Sequence, residues 1–316
     1  MRARWRAALL ALAFAGLSGC ASFQPPPEWG SGLAGSARVE RVELASVPFF
    51  PQEEFQCGPA ALATVLQNAG IARTPEQLVE QVYLPQRQGS LQVELLGASR
   101  RAGAVPYVLR AQPDELLREV AAGHPVVVLQ NVGWLTPQWH YAVVVGYDLA
   151  EKTLTLRSGT EKRMVMPLED FDRTWAKGGR WAFVALPPDR LPATANEADW
   201  VASVATFARV SPTHGPTAYR TALGAWPKNL FARLALGNSA YRQGQLGEAA
   251  SHYRQATVDH PQSADAWNNL AQALHEQGQS ADAAQAARRA VSIGGPRMAT
   301  YAKTLSAIEA GGTRTQ

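Results

Sequence analysis

Val47-Pro48-Phe49-Phe50-Pro51-Gln52-Glu53-Glu54-Phe55-Gln56-Cys57-Gly58-Pro59-Ala60-Ala61-Leu62 changes texture at Cys57. After it Ala61, Leu62, Val65, Leu66 and Ala69 fall at helical spacing, and Gly70 can end the run. Pro59 suits a first turn, where a missing N–H costs nothing. Cys57 therefore opens a helix. The partial positive charge of a helix N-terminus favours a thiolate, so the sequence predicts a lowered thiol pKa and a nucleophilic cysteine.

Downstream, the stretch between Cys57 and Ala122 reads as helical. Within it Thr74-Pro75-Glu76-Gln77 offers an N-cap, a Pro at the first position and a Gln at the third, a capping box for a helix through Val82. Short β-branched and aromatic runs follow at Val126 to Leu129, Tyr141 to Tyr147, Lys152 to Arg157 and Trp181 to Leu186. Helices first and an antiparallel sheet afterwards predict an α+β domain over residues 40–190. Pro187-Pro188 and Pro192 mark its end.

Cys-Gly at a helix start, a Gln just upstream and Trp139-His140-Tyr141 at the head of a late strand resemble the papain-fold peptidases that process bacteriocins after double-glycine leaders. The resemblance covers residues 45–187. It implies a papain-like cysteine peptidase fold with Cys57 as nucleophile, His140 as base and Gln52 as oxyanion donor. Gln52 lies five residues before Cys57 where the family usually has six, and Gln56 stands where the family usually shows Asp. Gln56 is the alternative donor.

In the family an Asp about one hairpin beyond the His completes the set. Here that stretch is Leu154-Thr155-Leu156-Arg157-Ser158-Gly159-Thr160, with no carboxylate. Asp148 lies eight residues along the strand from His140, about 26 Å away. A hairpin of the two strands brings either Ser158 and Thr160, or Arg157 and Gly159, to the histidine's face, and one residue of register decides. Ser158 is the expected imidazole-orienting group, with Thr160, Glu161, Glu169 or Asp170 as alternatives. Of the other histidines, His124 precedes Pro125 with no motif around it, and four lie in the C-terminal half.

That half, residues 196–310, is rich in Ala, Gln and Arg. Leu236, Gly244, Ala249 and Ala256 recur 34 residues later as Leu270, Gly278, Ala283 and Ala290. A further step back from Tyr253, Ala256 and Pro261 finds Tyr219, Ala222 and Pro227, and Met298 to Ile308 reads as a capping helix. The period and the small residues resemble the tetratricopeptide repeat, an all-α module that implies docking of a protein partner.

At the N-terminus Arg2, Arg4 and Arg6 precede eleven apolar residues, Ala7 to Leu17, too few to span a bilayer. Leu17-Ser18-Gly19-Cys20 resembles a lipobox, so residues 1–19 read as a lipoprotein signal, Cys20 as the lipidation site and residues 20–39 as a Pro-rich tether. Ala21 after the cysteine favours the periplasmic face of the outer membrane. Three of the thirty basic residues leave with the signal, lowering the formal charge from +4 to +1 and giving no pull on nucleic acid. No cysteine or histidine spacing suits a metal, and no glycine-rich loop suits a nucleotide, so no cofactor is expected. The expected function is a lipid-anchored periplasmic cysteine peptidase acting on a peptide or protein. The alternatives are a scaffold of the same fold without turnover, and acyl transfer onto an amine.

Overall fold

The computed structural model describes residues 28–33, 39–51 and 56–312. Gln52, Cys20, the signal and most of the tether lie outside the described residues. Among the described residues the N-terminal half is built on an antiparallel sheet of seven strands. They are β1 (Arg41–Glu43), β4 (Val105–Val108), β5 (Val126–Asn131), β6 (Trp139–Asp148), β7 (Thr153–Ser158), β8 (Glu161–Pro167) and β9 (Ala182–Leu186). The order is β4-β9-β5-β6-β7-β8, and β1 pairs with the far part of β6. A separate small hairpin joins β2 (Tyr83–Leu84) to β3 (Gly89–Ser90).

Period-two alternation splits the sheet's side chains between two cores. Val127, Leu129, Tyr141, Val143, Val145 and Phe183 face α1 (Cys57–Asn68), α2 (Pro75–Val82) and α3 (Gln92–Ala102), meeting Leu62, Val65, Leu66, Leu78 and Leu95. Val126, Val128, Ala142, Val144 and Val184 face the other way. They meet Leu116, Leu117 and Val120 of α4 (Pro113–Ala121), with Phe171 and Trp175 of α5 (Leu168–Lys177). With both faces covered, these strands carry apolar residues without a break. The capping box at Thr74 and Gln77 forms as the sequence predicts.

The reading of residues 57–122 as helical misses β4. Val105-Pro106-Tyr107-Val108 pairs with β9 at the rim of the sheet, where one edge has no partner strand and a proline removes no needed donor. The three-residue β1 and the hairpin of β2 and β3 are equally short and leave no period to read.

The C-terminal half is helical: α6 (Glu197–Val210), α7 (Gly215–Ala225), α8 (Leu230–Arg242), α9 (Leu246–Asp259), α10 (Ala264–Glu276), α11 (Ser280–Ile293) and α12 (Met298–Gly312). Ala249, Ala256, Ala283 and Ala290 have no exposed surface, and Tyr219 and Ala222 of α7 are buried too. Trp200, Val204 and Phe207 of α6 join the sheet core itself, so one apolar cluster runs from one half into the next. The joint is fastened by buried polar groups. Glu119 accepts from the backbone N–H of Thr194 at 2.7 Å and from its hydroxyl at 2.6 Å, and its other oxygen lies 2.7 Å from His124 Nδ1. Removing one member of such a buried set leaves the others unsatisfied, a loss of about 1–3 kcal/mol.

Candidate active site

Cys57 is the first residue of α1, and the Gln56 carbonyl before it takes the Ala60 N–H at 3.3 Å. Gly58 is required by what crosses this turn. A Cβ placed there would lie 2.3 Å from the Ser90 hydroxyl and 2.6 Å from Ser90 Cβ. The hairpin of β2 and β3 therefore presses on the helix start, and only glycine admits it. The Ser90 hydroxyl is buried with no hydrogen-bond partner among the described residues. Nothing in the sequence flagged Ser90, because its strand is two residues long.

His140 is the second residue of β6 and lies where β7 lets go. Pairing of β6 with β7 begins at Val143↔Arg157 and Val144↔Leu156. Extending that register sets Ser158 opposite Ala142, with His140 its diagonal neighbour on the same face. The Ser158 hydroxyl lies 2.8 Å from His140 Nε2, and Nδ1 meets no hydrogen-bond partner among the described residues. Thr160 is exposed, Asp170 pairs with Arg173, and Asp148 pairs with Arg41 at the strand's other end. Among the described residues neither Glu161 nor Glu169 bonds the imidazole.

Arg157, beside Ser158 but on the opposite face, is only 3% exposed. One of its terminal nitrogens donates to the carbonyls of Ala45 and Val47, both at 3.3 Å, and the other to Lys162. This ties the chain entering the Cys57 segment to the end of β7 that carries Ser158.

Because β7 has ended, the edge of β6 at Tyr141 is open to the helix start. The backbone N–H of Tyr141 donates toward the Cys57 thiol, joined by the N–H groups of Gly58 and of Cys57 itself. These favour the thiolate, but burial outweighs them and pushes the thiol above its ordinary range. The lowered thiol pKa expected from the helix N-terminus is thus corrected: desolvation is the larger effect. Burial also pushes the His140 imidazole below its ordinary range. At neutral pH the resting pair is a neutral thiol and a neutral imidazole.

Cys57, Ser90, Trp139, His140 and Tyr141 line one cavity of about 760 Å³, with Gly159 on its wall. Its volume lies in the range of ordinary ligand clefts. Among the described residues no cluster of three or more His, Cys, Asp or Glu could hold a metal, and no helix is long and apolar enough to cross a membrane.

The comparisons with known proteins fall on the same two halves. Residues 44–183 match the model of the Peptidase_C39 like family. The N-terminal half is a C39-like peptidase domain. Residues 217–256 and 234–298 match the tetratricopeptide repeat, so the chain joins a peptidase-fold domain to a repeat module. A protein described as a C39-like peptidase from Bacillus anthracis is 22% identical, covering 47% of this chain and 98% of its own, with a TM-score of 0.39. The peptidase domain of ComA from Streptococcus, a bifunctional ABC transporter of a quorum-sensing pathway, is 23% identical over 45% of this chain and 98% of its own, TM-score 0.37. MamA is 15% identical over 48% of this chain and 87% of its own, TM-score 0.33. No curated protein matches the chain.

Proposed function

We propose that the protein is a lipid-anchored cysteine peptidase of the periplasmic face of the outer membrane, whose repeats dock a protein partner. The observation that carries the peptidase reading is the meeting of three elements at one cavity. A helix start brings Cys57, a strand brings His140, and Ser158 holds the far nitrogen of the imidazole. With Nε2–H donated to Ser158, Nδ1 keeps its lone pair for the thiol proton. The Cys57 sulfur then bonds the peptide carbonyl carbon as His140 takes that proton. The carbonyl π electrons move to oxygen, where the Cys57 N–H and Gln52 are the proposed donors. His140 next gives the proton to the leaving nitrogen as the C–N bond breaks, and water hydrolyses the thioester. The neutral resting pair fits a proton transfer coupled to attack rather than a standing thiolate. The anchor rests on the lipobox at Cys20.

A scaffold reading has its own support, since a hydroxyl stands where a carboxylate would stabilise the imidazolium. One measurement separates the two: mass spectrometry of the protein after incubation with a peptide thioester or activated ester. Cys57 should carry the acyl group, and Cys57→Ala should carry none. His140→Ala should slow acylation about 10²–10⁴-fold, the usual contribution of a positioned base. No acylation of the parent protein would establish the scaffold.

A further inference from the structure

The hairpin between β5 and β6 ends in two large apolar side chains held out from the molecule. Trp134 is 93% exposed and Leu135 89%, the most exposed large apolar residues among those described. The tip is not slack. Asn131 Oδ1 accepts from the N–H of Gly133 at 3.1 Å and of Gln138 at 3.0 Å, and Val132 N–H reaches the Gln138 carbonyl at 2.9 Å. A Cβ at Gly133 would lie 1.9 Å from the Thr136 oxygen, so the turn is closed as tightly as glycine allows. Lys177 at the end of α5 reaches the Gly133 carbonyl from below at 3.4 Å. A built turn that spends its rigidity on presenting Trp-Leu to water has a use for them.

Convexity selects the occupant. A peptide subsite is concave, and side chains that serve one are partly enclosed. Side chains exposed this fully enter a soft phase, and an amphipathic Trp beside a Leu suits the headgroup boundary of a bilayer. The position of Trp29 agrees. Trp29 packs edge-on against Phe171 and tilted against Trp175 of α5, at ring-centroid distances of 5.9 and 6.2 Å, and the same helix ends at Lys177, which reaches the tip. Ten residues make α5 about 15 Å long. The nine steps of chain from Cys20 to Trp29 can span about 30 Å. An acyl chain on Cys20 and the Trp134-Leu135 tip can therefore reach one membrane surface together.

We infer that the Trp134-Leu135 hairpin is a second membrane contact, inserted in the interface of the bilayer that holds the anchor. Pro137, Gln138 and Trp139 run from this tip into the cavity wall beside His140, so insertion would set the mouth of the cleft at the membrane surface. Its substrates would be peptide segments next to the bilayer. The inference builds on the lipid-anchor reading but is tested without the lipid. The chain starting at Ala21, secreted with a non-lipidating signal, retains every described element. It is mixed with vesicles of phosphatidylethanolamine and phosphatidylglycerol, and cosedimentation and tryptophan emission are followed. Binding with a blue shift is expected, and W134S/L135S should lower the bound-to-free ratio about tenfold or more, since both apolar side chains are lost to the interface. Alkylation of Cys57 should stay unchanged in that variant. No binding by the parent chain overturns the inference. So does equal binding by the variant, and so does a variant that keeps vesicle binding but shows a raised KM for a soluble peptide, which makes the tip a peptide subsite. Vesicle binding by this chain together with a full-length protein whose mass shows no acylation would remove the anchor and leave the tip.

Discussion

In the sheet half the largest wholly buried side chains are Trp175, Tyr107, Tyr147, Phe171 and Phe183, whereas from α8 onward the buried positions are mostly alanines, with Tyr253, Leu270 and Leu274 between them. The first half closes its core by pairing strands far apart in sequence, and its site exists only when that pairing is in register. The second half closes each helix against its neighbours, and small residues set how near they come. A one-residue slip in β7 would move Ser158 to the wrong face of the sheet. No comparable slip threatens a repeat whose contacts are local. The proposed chemistry falls in the half held by long-range strand pairing, and the proposed docking in the half that depends on nearest neighbours.

The largest effect that tests this contrast is overpacking in the repeats. Ala283 has no exposed surface and lies in the cluster of Ala249, Leu270 and Ala287. Ala283→Leu should destabilise the helical half by about 1–3 kcal/mol. Calorimetry should resolve an early transition for the repeats while the sheet half and the alkylation of Cys57 stay unchanged. A single transition, lowered as a whole, would show that the core shared through Trp200 and Phe207 couples the halves into one unit. An unchanged profile would mean that the helices are loose enough to absorb a leucine.

The second test concerns charge in the sheet half. Burial raises the Cys57 thiol and lowers the His140 imidazole. A histidine acts as a base only above its pKa, so lowering that pKa extends the base form into mild acid. Turnover should therefore hold to below about pH 6.5 before it falls. A thiol is alkylated as the thiolate, so a raised pKa moves that reaction upward. The rate of iodoacetamide modification should have its midpoint above about pH 8.5, the free-thiol value. A midpoint well below it would show that the amides of Tyr141 and Gly58 outweigh desolvation and that the resting thiol is ionised.

Much of this was legible in the sequence because it rests on period and position. The helix at Cys57 follows from apolar spacing after a Pro-bearing first turn, and the buried alanines follow from a 34-residue phase. The thiol pKa was not legible, since a helix N-terminus is a local feature and burial depends on β6 and the hairpin of β2 and β3. Ser90 escaped for the same reason: it matters through its contact with Gly58, more than thirty positions away. Nothing in the sequence marks the Trp134-Leu135 tip, because sequence shows two apolar residues between strands but not which way they point. For Ser158 the sequence narrowed the choice to two faces and the register of β6 with β7 made it.

Ser158 is also where the smallest effect is expected. Its hydroxyl lies 2.8 Å from Nε2 of His140 and holds the ring in place, but it has no charge to offer the imidazolium that the proposed attack would form. Losing a neutral hydrogen bond costs about 0.5–1.5 kcal/mol. Ser158→Ala should thus lower turnover only about two- to twelve-fold, at about 1.36 kcal/mol per factor of ten. Ser158→Asp replaces the hydroxyl with a carboxylate facing the ring. It should hold or raise turnover and raise the His140 pKa, so the acid limb moves to higher pH. The two variants act in opposite directions only if residue 158 works through the imidazole, because a merely structural serine would tolerate alanine and suffer from a buried aspartate. Turnover of both on one peptide, read across pH, makes the distinction. A thousandfold loss in Ser158→Ala would make the hydroxyl essential to proton transfer. Equal turnover and an unmoved acid limb in both would free the ring from β7, and the register of the sheet would then place the histidine without helping it react.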